Sequence, residues 1–164
     1  MEPAIPRLLR GSDRPEAASS ATIGAPGPRL RVSFLLDTNT CIDFLRGRYA
    51  AVRERIRSRT PGSIAISVVT AAELRHGAER SARPAHNHAV VDAFLGDLDV
   101  LPLDEPVSRH YGRLRAGLER QGHSIGANDL FIAAHALALR RTLVTSNVRE
   151  FRRIAGLRWV DWRD

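Results

Sequence analysis

Between residues 32 and 162 short apolar, β-branched runs alternate with helical patterns, and this alternation restricts the fold more than any other feature of the chain. The strand-like runs are VSFLLD (32–37), SIAIS (63–67), DVLPL (99–103), TLVTS (142–146) and LRWVDW (157–162). Helical patterns cover 40–47, 49–59, 68–81, 85–98, 106–121, 129–141 and 147–154, with a loop at 122–128. Gly47 closes the first helix, Pro61 and Gly62 lead into the second strand, and Ser67 is placed to cap the helix beginning at 68. Strands separated by helices are joined by crossovers, so the sheet is expected to be mostly parallel with helices on both faces, an α/β fold. In such sheets the functional side chains gather at the carboxyl ends of the strands.

The acids can be placed against that rule. Asp37 ends the first strand. Glu73 lies in the second turn of the helix that leaves the same edge after the second strand. Asp129 opens a helix that runs back ahead of the fourth strand, so its N-terminus also lies at the carboxyl edge. Asn147 and Glu150 follow the end of the fourth strand. Each has an ordinary explanation: Asp37 as a helix N-cap, Asp129 in a favourable first turn, Glu73 as an exposed helix residue, Glu150 paired with Arg153. Helix phase argues otherwise for two of them. Asp129 shares a face with Ile132, Ala133 and Ala136, and Glu73 sits among Ala71, Ala72 and Leu74.

Carboxylates gathered on one rim repel. Two charges ~4 Å apart cost on the order of 4 kcal/mol at an effective dielectric of about 20. Either some take up protons or a cation lies among them. An all-oxygen donor set without His or Cys selects a hard ion, Mg²⁺ or Mn²⁺, and a water bound to such an ion is a nucleophile suited to a phosphodiester.

The segments LLDTNTCIDFLRG, ISVVTAAELRHGAER, GANDLFIAAHAL and LVTSNVREFRRIAGLRWVDW, in this order and spacing, resemble the VapC family of PIN-domain ribonuclease toxins from type II toxin–antitoxin systems. The resemblance runs from about Ser33 to Trp162. It implies a three-layer α/β fold with a parallel five-stranded sheet over 32–164, and Mg²⁺- or Mn²⁺-dependent endoribonuclease activity. The family's acidic quartet falls on Asp37, Glu73, Asp129 and, for the fourth position, Glu150, since the alternative position holds Asn147. Asp37 and Asp129 match the family's metal ligands. Thr145 matches a residue that positions water or ligand, and Thr38 and Asn39 match residues that orient the first acid. The resemblance further implies structured RNA as substrate, tRNA and above all initiator tRNA, a cognate VapB-type antitoxin, a homodimer and a cytoplasmic location. Hydrolysis by water would leave a 5′-phosphate, with Arg46, Arg48 or Arg75 touching RNA phosphates.

Two other readings compete. An aspartate-nucleophile phosphatase also places Asp at the tip of strand one, but its chemistry needs an acid at position 39, which is Asn, and a Lys, which the chain lacks. The missing Lys equally disfavours a receiver-type signalling module. A non-catalytic RNA- or protein-binding domain would need no metal.

The remaining features add little. All 25 basic residues are Arg and the formal charge is +7, which suits a polyanionic partner but also follows from GC-rich codon usage. Cys41 is the single cysteine, so no internal disulfide can form. No apolar run reaches the ~20 residues of a membrane helix. His86-Asn87-His88 spells a nuclease name without its ligand arrangement, and the other histidines lack zinc spacing. Residues 1–31 hold five of the nine prolines and no periodic apolar face; they read as disordered, with a native start near Val32 the favoured explanation.

Overall fold

The computed structural model describes residues 33–164; the expectations for residues 1–31 and for Val32 fall outside them. The elements run β1 (Phe34–Leu36), α1 (Thr38–Leu45), α2 (Ala50–Arg57), β2 (Ile64–Ser67), α3 (Val68–Glu79), α4 (Pro84–Gly96), β3 (Asp99–Leu101), α5 (Glu105–Arg120), α6 (Ala127–Ala138), β4 (Thr142–Val144), α7 (Val148–Phe151) and β5 (Trp159–Val160). Every segment expected from the pattern is present. The strands are shorter than the apolar runs, β1 and β4 ending one residue before Asp37 and Thr145, whose amide N–H groups still donate to the neighbouring strand. Helix α6 begins two residues before the expected 129, which puts Asp129 inside its first turn.

The sheet is five-stranded, in the order β3-β2-β1-β4-β5, and every pairing is parallel. Leu35 stands level with Ala65 on one side and Leu143 on the other, and Leu36 with Ile66 and Val144. Alternation then sends these two rows to opposite faces. Leu36, Ile64, Ile66 and Val144 enter a core closed by Phe44, Val52, Ile56, Leu74, Phe94 and Leu95 from α1 to α4. Leu35, Ala65 and Leu143 enter a second core closed by Ile132, Ala133, Ala136, Phe151 and Ile154. Both faces of the three central strands are therefore buried, which is why their sequence reads as continuous Ile, Leu, Val and Ala. Helices α5 and α6 pack through a Tyr111–Phe131 stack with ring centroids 4.0 Å apart. Trp162 packs edge-on to Phe34 at 5.1 Å, and the Arg59 guanidinium lies 4.6 Å over the Phe34 ring.

The chain leaves β1 for β2 and β3, then returns to the other side of β1 for β4 and β5. The order therefore reverses between β1 and β4, and the two chains diverge beyond their carboxyl ends. Such a point opens a crevice in a parallel sheet.

Candidate active site

Asp37 is the residue that β1 delivers to this crevice. Its amide N–H still donates to the Val144 carbonyl of β4, at 3.0 Å, so the sheet holds its backbone in place. It is also the N-cap of α1: Oδ1 accepts from the Thr40 N–H at 2.7 Å. Capping and chemistry are thus not alternatives here, because the cap orients the carboxylate. Oδ2 accepts from the Thr145 hydroxyl at the end of β4. The side chain is buried, only 2% exposed. Burial pushes its pKa up to about 6, and the Asp129 charge adds to this; the hydrogen bonds from Thr145 and Thr40 act the other way.

Thr145 links Asp37 to the next acid. The Asn147 N–H donates to Thr145 Oγ1 at 2.9 Å, so the hydroxyl proton is left for Asp37. The Asn147 side chain then donates Nδ2–H to Asp129 Oδ2 at 3.1 Å. Asp129 is half-buried, and its pKa is raised first by burial, then by Glu73 and, more weakly, by Glu150; the Asn147 bond opposes them. Asp129 thus acts on Asp37 and is itself acted on by Glu73 and Glu150.

Glu73 is held differently. Oε2 accepts from the Thr38 hydroxyl and Oε1 from Asn128 Nδ2, the latter at 2.9 Å. Both oxygens thus have neutral donors, one from α1 and one from α6, and Glu73 ties three helices together at the rim. Glu150 forms an ion pair with Arg153 at 3.5 Å, as i,i+3 spacing allows. The paired oxygen, Oε2, is buried and makes no hydrogen bond, so the contact with Arg153 is electrostatic only.

The structure brings Asp37, Glu73, Asp129 and Glu150 to one rim, where Asp129 raises the pKa of Asp37 and has its own raised by Glu73 and Glu150; helix phase had pointed Asp129 and Glu73 inward. The supporting residues differ in detail. Asp37 is oriented by Thr40 and Thr145; Thr38, expected to do this, binds Glu73 instead, and Asn39 is exposed and outside the network. Asn128 and Thr40 are new members. A polar residue beside Asp129 and a hydroxyl three residues after Asp37, at the capping distance, were the available signals. Two of the three expected phosphate-binding arginines are already paired: Arg48 with Asp43 at 3.5 Å and Arg75 with Asp92 at 2.6 Å. Arg46 lines a groove beside Glu73.

Among the described residues, no three of His, Cys, Asp and Glu converge as a ready-made metal cage. A closed, all-protein site is therefore a poor fit. Mg²⁺, however, keeps most of its waters and takes one or two carboxylates. Asp37 and Asp129 fit that requirement. Asp37 is buried and Asp129 half-buried, each with a raised pKa, and neither forms an ion pair among the described residues.

A parallel five-stranded sheet with an acidic switch point defines a PIN-domain protein, and the PIN domain family matches residues 34–157 of this chain. Within that family the chain belongs to the VapC ribonucleases. The tRNA(fMet)-specific endonuclease VapC of Shigella flexneri is 44% identical over 131 residues, which span 80% of this chain and 98% of that relative. The crystal structure of DNA-bound VapBC from Salmonella typhimurium superposes with a TM-score of 0.76 at 42% identity, over 80% of this chain and 98% of that one. VapBC-5 from Mycobacterium tuberculosis, a member of the VapBC family of toxin–antitoxin systems, superposes with a TM-score of 0.61 at 27% identity, over 81% of this chain and 99% of that one.

Proposed function

We propose that this chain is a Mg²⁺- or Mn²⁺-dependent endoribonuclease, the cytoplasmic toxin of a type II toxin–antitoxin pair, acting on structured RNA of the tRNA class. Initiator tRNA is the first substrate to test, because the Shigella flexneri relative is named for it. The observation that carries the reading is the coupling of Asp37, Glu73 and Glu150 through Asp129 at the β1–β4 crevice. When bound, a divalent ion supplies Lewis acidity at the scissile phosphate. Asp37 and Asp129 hold it, with Thr145 and Thr40 fixing the first carboxylate and Asn147 the second. Glu73, fixed by Thr38 and Asn128, keeps lone pairs to accept a hydrogen bond from the attacking water. Glu150 adds negative charge to the same rim. Water, not the 2′-hydroxyl, is the nucleophile, and the product carries a 5′-phosphate.

The protein partner is a VapB-type antitoxin. A groove of about 220 Å³ between α1, α3 and α4, lined by Ile42, Leu45, Leu74 and Val91 with Arg46 and Glu73 at one side, offers an aliphatic seat next to the acids. Among the described residues, no helix is long and apolar enough to cross a membrane. A homodimer is expected from the family resemblance, and a sedimentation measurement tests it.

The deciding experiment incubates purified protein with initiator tRNA transcript and Mg²⁺, and maps the ends. Cleavage with 5′-phosphate ends that EDTA abolishes supports the reading. Cleavage undiminished in excess EDTA rejects it, and phosphate release from a simple phosphomonoester without RNA cleavage would restore the phosphatase.

A further inference from the structure

A second cavity, of about 200 Å³, lies between α5, the 121–126 loop and the first turn of α6. We propose that it receives a nucleobase turned out of a single-stranded loop of the RNA substrate, and that Arg115 and His123 help determine which RNA is cut. The inference rests on the ribonuclease reading above and names its recognition site.

Three observations carry it. The first is the chemistry of the lining. Tyr111 presents an aromatic edge and its hydroxyl, and the Arg115 guanidinium lies against it, donating to Tyr111 Oη at 3.3 Å and to Glu119 Oε1 at 2.9 Å. An exposed guanidinium with these two contacts is a planar surface of the kind on which bases stack. Tyr111 is in turn held by its stack on Phe131. The second is charge. Glu119 neutralises Arg115, so the cavity has no surplus cation to favour a phosphate; a neutral, flat group with hydrogen-bonding edges suits it better. His123 and Ser124, both exposed, supply polar groups for those edges. The aliphatic groove beside Glu73 has no comparable planar surface.

The third is position. Ala127 and Leu130 line the cavity and bracket Asp129 on α6. Residues 127 and 130 share one helix face, while Asp129, roughly 100° from Leu130 and about 160° from Ala127, points around the helix from it within the same first turn. A nucleotide whose base enters the cavity therefore has its backbone at the same helix end as Asp129. The capping residue there is Gly126, with no side chain to cover the first amide N–H groups. RNA recognition in single-stranded loops works by splaying bases onto such platforms.

The test uses the full chain and a set of initiator tRNAs, one intact and the others each abasic at one single-stranded loop position. The Arg115→Ala/His123→Ala double variant should raise KM on the intact RNA about tenfold with kcat nearly unchanged. On one abasic RNA the same variant should cause no further loss, because the missing base is the one the cavity holds. Ser124→Trp, which fills the space, should reproduce the KM effect. Unchanged KM in both variants overturns the proposal, as does an equal loss on every abasic RNA. If the wild type cuts none of these RNAs, initiator tRNA is not the substrate and the proposed function loses its first candidate. The cavity is then judged by titrating GMP and AMP against the His123 ring proton resonances: saturable shifts support the site and their absence overturns it. Shifts caused by the antitoxin in place of the nucleotides assign the cavity to a protein partner and also overturn it.

Discussion

The two ends of the acidic rim are built on opposite principles. At the β1–β4 end, Asp37 is buried and Asp129 half-buried, and both bind protons more tightly than free carboxyls. At the α3 end, Glu73 is half-buried like Asp129, and its two neutral donors come from α1 and α6 rather than from the end of β4. At the first end, hydrogen bonds from neutral donors do not offset the burial of the charge. A divalent ion therefore has most to relieve at Asp37 and Asp129, and Glu73 is suited to a fixed geometric task.

The largest expected effect separates these ends by activity. Asp37→Asn and Asp129→Asn should each lower cleavage by at least about a thousandfold with the fold intact by circular dichroism. Mn²⁺ should raise the melting temperature of the wild type and leave both variants unmoved. A wild-type response in either variant would break the assignment of the ion to this end.

The next contrast is in stability, and its sign is opposite to that of activity. The Asp37 carboxyl has a pKa of about 6 in the folded chain against 3.8 for a free one. Below 3.8 both states are protonated and no penalty exists. As pH rises the unfolded chain ionises first, and once both are ionised folding is disfavoured by about 3 kcal/mol. The metal-free wild type should thus lose stability from this group between about pH 4 and 6. Asp129, raised in the same direction, adds to the loss. Asp37→Asn should stabilise the metal-free protein at pH 7.5 by up to about 3 kcal/mol, less whatever Thr145 loses in its acceptor, with the gain fading below pH 4. Urea titrations at both pH values check this, and a destabilised variant at pH 7.5 would show that the hydrogen bonds outweigh the burial.

At the α3 end the effects should be smaller. Thr38→Val and Asn128→Ala each free one oxygen of Glu73 and should cost about 10- to 100-fold in kcat, the range for partners that orient a functional side chain. Neither should alter the Mn²⁺-induced shift in melting temperature. Loss of that shift would make Glu73 a ligand and erase the difference between the ends.

The sequence discloses the two ends unequally, and the reason is physical. Strand and helix positions follow from local periodicity and from Pro61, Gly62 and Gly47, so the sheet and the rim were legible. The inward phase of Asp129 on its helix was legible too. What periodicity cannot supply is which side chain completes a bond across elements. Thr145 reaches Asp37 over 108 positions and Asn128 reaches Glu73 over 55. Thr38, next to Asp37 in the chain, turns to Glu73 because the first turn of α1 points it towards α3, and Asp37 is left to Thr40, the capping partner. Neighbours in sequence are a poor guide to partners when a helix begins between them.

Glu150 belongs fully to neither end, and the smallest predicted effect decides its place. Its ion pair with Arg153 is partly exposed, and such pairs contribute little, typically under about 1 kcal/mol. Breaking the pair from the Arg side therefore tests the pair alone. Breaking it from the Glu side also removes a negative charge that Asp129 feels and the buried Oε2 that lacks a hydrogen bond. If Glu150 serves the rim, Glu150→Gln should lower cleavage about tenfold, within the range for residues that support a metal site. Arg153→Gln should leave cleavage unchanged or raise it slightly, because the carboxylate is then freer to face the crevice. Equal, small losses in the two variants would mean that the i,i+3 pair is all that Glu150 provides, and the acidic rim would rest on Asp37, Glu73 and Asp129.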